Sequence, residues 1–274
     1  VPGDIIYTKD SKEKVIPPKK VYFESIDTDR FIEIKEDVKP SFNVLTNGSF
    51  SVRINDRGVN YTQFRNVALS RYRSDILKNF YGQTFYIKRL DNGEIWSPSF
   101  LPYLKKPDKY LVSFSGDKAK FVRRDKDIET NYEVVVATED NADIRRIMIV
   151  NHGDETLDFE VTGLMELVIG DQNADVSHRA FYGLFVSTSE DDEVLFAKRL
   201  SRSKNEESFY AFQTSFVNGE EFGDFQFETD RMKFIGRGRS NLNPISVMEG
   251  KPLFGTVGDV LDPVFVQRRN VRVE

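Results

Sequence analysis

The sequence predicts an all-β protein: a large antiparallel two-sheet β-sandwich with few short helical turns. Three observations carry this. Short apolar or alternating runs recur through most of the 274 residues at roughly 8–12-residue spacing, as successive sandwich strands do. Turn sequences punctuate them, at Asn47-Gly48, Asp91-Asn92-Gly93, Gly116-Asp117 and Asn218-Gly219. No window of about 11 residues carries a helical stripe. The best exception is a helical turn at Thr229–Phe234, with Thr229 as its cap.

Residues 1–43 are polar and lysine-rich, with Pro2, Pro17, Pro18 and Pro40. They read as a linker with added strands at Val21-Tyr22-Phe23 and Phe31-Ile32-Glu33-Ile34, because paired prolines cannot donate to a central ladder. Residues 44–274 read as one sandwich domain. In it, Phe50, Val52 and Ile54 alternate with Ser51 and Arg53, the period of a half-buried strand. A strand at Phe85–Leu90 turns back through Asp91-Asn92-Gly93 onto Glu94-Ile95-Trp96. Between these, Tyr61-Thr62-Gln63-Phe64 and Arg71-Tyr72-Arg73-Ser74-Asp75 read as an aromatic- and arginine-rich loop. Further strands are expected at Tyr110–Phe114, Ala119–Val122, Tyr132–Val136, Arg146–Val150, Leu157–Val161, Phe185–Ser187, Val194–Phe196 and Phe209–Phe216. Met165, Leu167 and Ile169 alternate with Leu164, Glu166 and Val168, which suits a strand buried on both faces.

Composition narrows the function. With 44 acidic against 39 basic residues, the net charge is −5 and the pI about 5.4, so no global charge favours nucleic acid or an anionic membrane. Twenty-three Phe and 11 Tyr supply ring area for a thick core. The absence of cysteine rules out disulfides and thiolate metal sites. No apolar run approaches the ~20 residues of a membrane-spanning helix. The chain starts at Val1 without a signal-like segment and stops on a strand-like pattern, so a fragment of a longer polypeptide is expected.

Catalytic and metal-binding patterns are missing. His152 and His178 are not at ligand spacing, no Gly-x-Ser-x-Gly elbow occurs, and no cofactor is expected. Gly236-Arg237-Gly238-Arg239 is too short for a nucleotide-binding fingerprint. Arg231, Arg237 and Arg239 are candidates for an anion or interdomain contact, with structural ion pairs as the plain alternative. Glycoside chemistry uses paired carboxylates, and Asp75, Glu94, Asp171, Asp175, Glu228, Asp230 and Asp262 are the ones to locate.

The run NGSFSVRINDRGVNYTQFRNVALSRYRSD, followed by YGQTFYIKRLDNGEIWS, resembles the β-sandwich domain of glycoside hydrolase family 94, as found in cyclic β-1,2-glucan synthases and 1,2-β-oligoglucan phosphorylases. RRIMIVNHGDE (Arg145–Glu155), FETDRMKFIGRGRS (Phe227–Ser240) and GDVLDPVFVQRRNVRV (Gly258–Val273) follow in the family's order. The chain departs from the pattern at Phe64 and Tyr72, where tryptophan is common. The resemblance implies a galactose-mutarotase-like supersandwich. It also implies that catalysis belongs to a separate (α/α)6 barrel of the parent chain.

Candidate sugar contacts are Tyr61, Arg71, Arg73, Asp75, Tyr86 and Trp96, with His178 added because it matches a family histidine. Rings can stack on sugar faces while forked donors and carboxylates reach hydroxyls. Equally, Trp96 can be core and the arginines and Asp75 a buried ion cluster. The expected function is a non-catalytic carbohydrate-binding or architectural domain of a bacterial multidomain β-1,2-glucan synthase or phosphorylase. Its expected partners are β-glucan or glucooligosaccharide, the catalytic barrel, and a second copy in a homodimer; no nucleic acid and no membrane span enter. The expected location is cytoplasmic, with the parent either cytosolic or attached to the inner membrane. Alternatives are a pure interdomain or dimerisation scaffold without sugar affinity, and a mutarotase-like sugar enzyme.

Overall fold

A computed structural model of the chain describes residues 30–32, 39–72, 82–201 and 207–274. The first half is strand after strand: β1 (Arg30–Ile32), β2 (Phe42–Thr46), β3 (Phe50–Asn55), β4 (Asn60–Phe64), β5 (Val67–Ser70), β6 (Gln83–Arg89), β7 (Ile95–Trp96), β8 (Lys109–Phe114), β9 (Lys118–Asp125), β10 (Ile128–Val136) and β11 (Asp143–Asn151). The long β12 (Leu157–Gly170) leads into α1 (Gln172–Ser177) and α2 (Arg179–Gly183), then β13 (Val186–Asp191), β14 (Val194–Arg199) and β15 (Tyr210–Gln213). The chain closes with β16 (Glu220–Asp230), α3 (Arg231–Ile235), α4 (Ile245–Met248), β17 (Gly258–Asp259) and β18 (Pro263–Val273).

The strands form three antiparallel sheets. One has five strands in the order β1-β8-β9-β10-β11, and another has four in the order β15-β14-β13-β17. The largest runs β16-β18-β12-β5-β4-β3-β2, with β6 on β12 and β7 on β6. Its axis is β12, which pairs with β18 along one edge and with β6 and then β5 along the other. Both faces of β12 are covered, as its run Leu164–Ile169, apolar but for Glu166, predicts. Met165, Leu167 and Ile169 pack with Val186, Leu195 and Ala197 of the four-stranded sheet. On the opposite face Leu164 packs with Phe234, Ile235 and Val247 of α3 and α4.

The five-stranded sheet covers the β2–β3 end, where Leu45, Phe50, Val52 and Ile54 meet Val112, Phe114, Phe121 and Tyr132. Phe121 and Tyr132 are cross-strand partners whose rings stack at 5.4 Å, an arrangement that adds about 0.5–1.5 kcal/mol beyond its buried area. The hairpin at Asp91-Asn92-Gly93 forms as expected: Gly93 takes φ +72°, and Ile87 and Lys88 pair with Trp96 and Ile95.

Several expectations need correction. Residues 61–64, expected as loop, lie in strand β4, whose backbone pairs with β3 on one side and β5 on the other. Asn60 donates to the Gly58 and Gln83 carbonyls. Leu157–Val161 and Leu164–Ile169 are one continuous strand. The helix near 230 is capped by Asp230, which accepts from the Met232 N–H, not by Thr229; the Thr229 hydroxyl instead bonds Thr188 and the Thr256 carbonyl. Of the two N-terminal strand candidates, Phe31-Ile32 lies in β1, which pairs with β8. Val21-Tyr22-Phe23 lies outside the described residues.

Candidate functional site

Where β5 ends, Arg71 turns inward beneath the large sheet. Its N–H groups are distributed over three carboxylates: Nε and Nη2 donate to Asp175 at 2.9 and 3.0 Å, and Nη1 donates to Glu166 at 3.0 Å and to Asp262 at 3.1 Å. Each partner comes from a different segment. Glu166 lies on β12, Asp175 on α1, and Asp262 in the turn before β18. Two further arginines close the network. Arg179 on α2 donates to Asp262 at 2.7 Å, and Arg231 at the start of α3 donates to Glu166 at 2.9 Å. The Asn241 amide donates to Glu166 at 3.2 Å, and the Asn241 carbonyl accepts from the Tyr86 hydroxyl at 2.6 Å.

Three guanidiniums thus face three carboxylates, and charge is balanced inside the fold. Burial alone would raise the Glu166 carboxyl, but Arg71, Arg231 and Arg179 overcome it and hold it down at about 2. Burial would likewise lower the Arg71 guanidinium, yet the Asp175 bond and the Glu166 and Asp262 charges raise it. Glu166 therefore has no proton to donate near neutral pH, and its oxygens are occupied by donors. Glycoside cleavage needs one carboxyl that stays protonated, a part Glu166 does not supply. The chemistry of the cluster is that of a clasp joining β5, β12, α1, α2, α3 and β18.

The other predicted side chains are dispersed. Trp96 is 1% exposed. Its Nε1–H donates to Thr130 at 3.2 Å, Phe159 meets it edge-on, and the Lys105 ammonium lies 5.0 Å from its ring centre. Tyr86 is enclosed against Phe234, and burial pushes its phenol well up. Neither ring is open to stack on a sugar, which corrects that part of the expectation. Tyr61 is buried beside Tyr72, ring centres 5.5 Å apart. His178 is exposed between α1 and α2. Arg73 and Asp75 lie outside the described residues.

Arg231 belongs to the network, Arg239 pairs with Glu249, and Arg237 is exposed with no ion pair among the described residues. The three arginines do not converge on one anion site. Glu166 and Arg179 were absent from the predicted set. A lone glutamate inside the apolar run Leu164–Ile169 was the available signal, since a buried charge needs an opposite one.

Together these features define a large β-sandwich module with an internally neutralised ionic centre. The family description "Glycosyl hydrolase 94, supersandwich domain" matches residues 30–274, and the chain belongs to that family. It is also 32% identical over 232 residues to the cyclic beta-(1,2)-glucan synthase NdvB of Rhizobium meliloti (strain 1021). That match covers 84% of this chain and 8% of the synthase.

Proposed function

We infer that the domain is a non-catalytic module of a multidomain β-1,2-glucan-processing enzyme, bracing the (α/α)6 catalytic barrel of its parent chain and helping to position glucan. The observation that carries this is the surface above the ionic clasp. Asp262, Arg179 and Arg231 are its partly exposed members. Around them stand exposed apolar side chains on the segments that meet there: Val176, Phe181, Leu184, Met232 and Leu261, the last 75% exposed. An apolar rim on a rigid charged centre is the composition of a protein–protein contact. A relative more than ten times the length of the matched segment supports placing a covalent neighbour on it.

Glu166, held ionised by Arg71, Arg231 and Arg179, is not the protonated acid that glycoside cleavage requires, which supports the non-catalytic half of the reading. The test is an assay of the 274-residue chain with linear β-1,2-glucooligosaccharides, with and without inorganic phosphate. The expected result is neither glucose 1-phosphate nor transfer products. Turnover above the buffer rate would overturn the reading.

A further inference from the structure

A concave feature lies where the end of β12 meets α2 and the start of β15. It is a groove of about 350 Å³ whose lining includes Asn66, Asp171, Tyr182, Arg199, Glu207 and Phe209. That volume is at the small end of the roughly 300–1,000 Å³ typical of small-molecule sites.

The floor is rigid. Gly170 ends β12 at a point where a Cβ would lie 2.0 Å from the Tyr182 hydroxyl, so glycine is what lets Tyr182 cross there. That hydroxyl accepts from the Asp171 N–H at 2.6 Å, and Asp171 caps α1 through the Ala174 N–H at 2.7 Å. The cap uses one carboxylate oxygen of an otherwise exposed side chain. Arg199 is buried, with its guanidinium 3.8 Å from the Tyr182 ring centre. This stack holds the plane of the guanidinium fixed. Behind Tyr182 pack Tyr61 and Val168, so Tyr61 is a positioning residue for the floor. Phe209 is a half-buried wall, and Asn66 and Glu207 stand exposed at the mouth.

The mixture of signs decides the ligand class. Two carboxylates oppose a phosphate or carboxylate ligand, and the buried guanidinium opposes a divalent cation. A neutral polyhydroxylated ring satisfies both: its hydroxyls donate to Asp171 and Glu207 and accept from Arg199 and Asn66, while its C–H face lies on an aromatic ring. We propose that this groove is a subsite for one neutral pyranose unit, a glucose residue of a β-linked glucan. The inference deepens the glucan-positioning part of the proposed function and rests on it.

The experiment is a calorimetric titration of the 274-residue chain with linear β-1,2-glucooligosaccharide, repeated on Asn66→Ala, Glu207→Ala and the double variant. Both side chains are exposed, and circular dichroism checks that the fold is unchanged. The expected result is saturable heat in the wild type and binding weakened roughly tenfold or more in the double variant, as for loss of a charge-assisted hydrogen bond. Saturable heat that survives the double substitution would place the sugar elsewhere and overturn this subsite, leaving glucan binding intact. No saturable heat in the wild type would overturn both the subsite and the glucan-positioning part of the function.

Discussion

Arg71 and Glu166 meet at 3.0 Å with 1% of each side chain exposed, although 95 residues separate them in the chain. Removing either member of such a pair leaves the other charged and unsolvated. Arg71→Ala strands the buried Asp175 and takes one donor from Glu166, which keeps Arg231 and Asn241, and is expected to cost about 3–5 kcal/mol in urea unfolding. Arg71→Lys recovers only part of this, because one ammonium cannot span both Asp175 oxygens and still reach Glu166. A loss under about 1 kcal/mol for Arg71→Ala, the range of a surface pair, would contradict the clasp.

The same carboxylate gives the fold an acid dependence of known sign. The Glu166 carboxyl is held below its ordinary value of 4.5, at about 2. Its stabilisation is therefore fully present above pH 4.5 and is lost as the pH falls towards 2. The depression corresponds to about 3 kcal/mol. Glu166→Gln is expected to lower stability at neutral pH and to flatten the stability profile between pH 4.5 and 2. A variant profile as steep as the wild type in that window would show that other groups set it.

Glu160, six residues earlier on β12, is held in the opposite direction. Burial pushes its carboxyl up, and Arg268 and Lys88 restore it only in part. Burial also lowers the Arg268 guanidinium. The two approach to 3.3 Å without a hydrogen bond at Glu160 Oε1. A carboxyl raised in the folded state disfavours folding above its folded value, so Glu160→Gln removes a liability. Its thermal midpoint at pH 7 is expected to equal or exceed the wild type. A loss comparable to that of Glu166→Gln would contradict this contrast.

Trp96 is the sole tryptophan, and it sits between Phe159, Thr130 and Lys105. Its native emission is expected to be that of a buried indole, shifting to the red in one step on unfolding. Saturating β-1,2-glucooligosaccharide should leave it unchanged, even where calorimetry detects binding. Ligand-dependent quenching would place a sugar against this ring and contradict its enclosure.

Much of the fold is legible from residues alone. Asp91-Asn92-Gly93 announces the β6–β7 hairpin, and the apolar run through Leu164–Ile169 announces a strand covered on both faces. Helices α1 and α2 escape because six and five residues are too few to show a 3.6-residue period. Strand β16 escapes because Gly223 interrupts its alternation and the register shifts there. At the clasp, the sequence offers Arg71 and an isolated Glu166. It cannot say that Asp175 and Asp262, 104 and 191 residues from Arg71, close on the same guanidinium. Trp96 and Tyr86 show the same limit: an aromatic on a strand can stack on a sugar or fill the core, and only the packing of other strands and helices decides.

The proposed bracing role turns on the rim formed by Leu261, Met232 and their neighbours near Asp262. The most direct measurement is sedimentation velocity on an equimolar mixture of the 274-residue chain and the separately produced (α/α)6 barrel that the proposal places beside it in a longer polypeptide. A one-to-one complex is expected with the wild type. It should be absent with the Leu261→Asp, Met232→Asp double variant, in which two exposed apolar contacts become charges while the fold stays intact. No complex with the wild-type chain, or one that persists in the double variant, would contradict an interdomain brace at this surface.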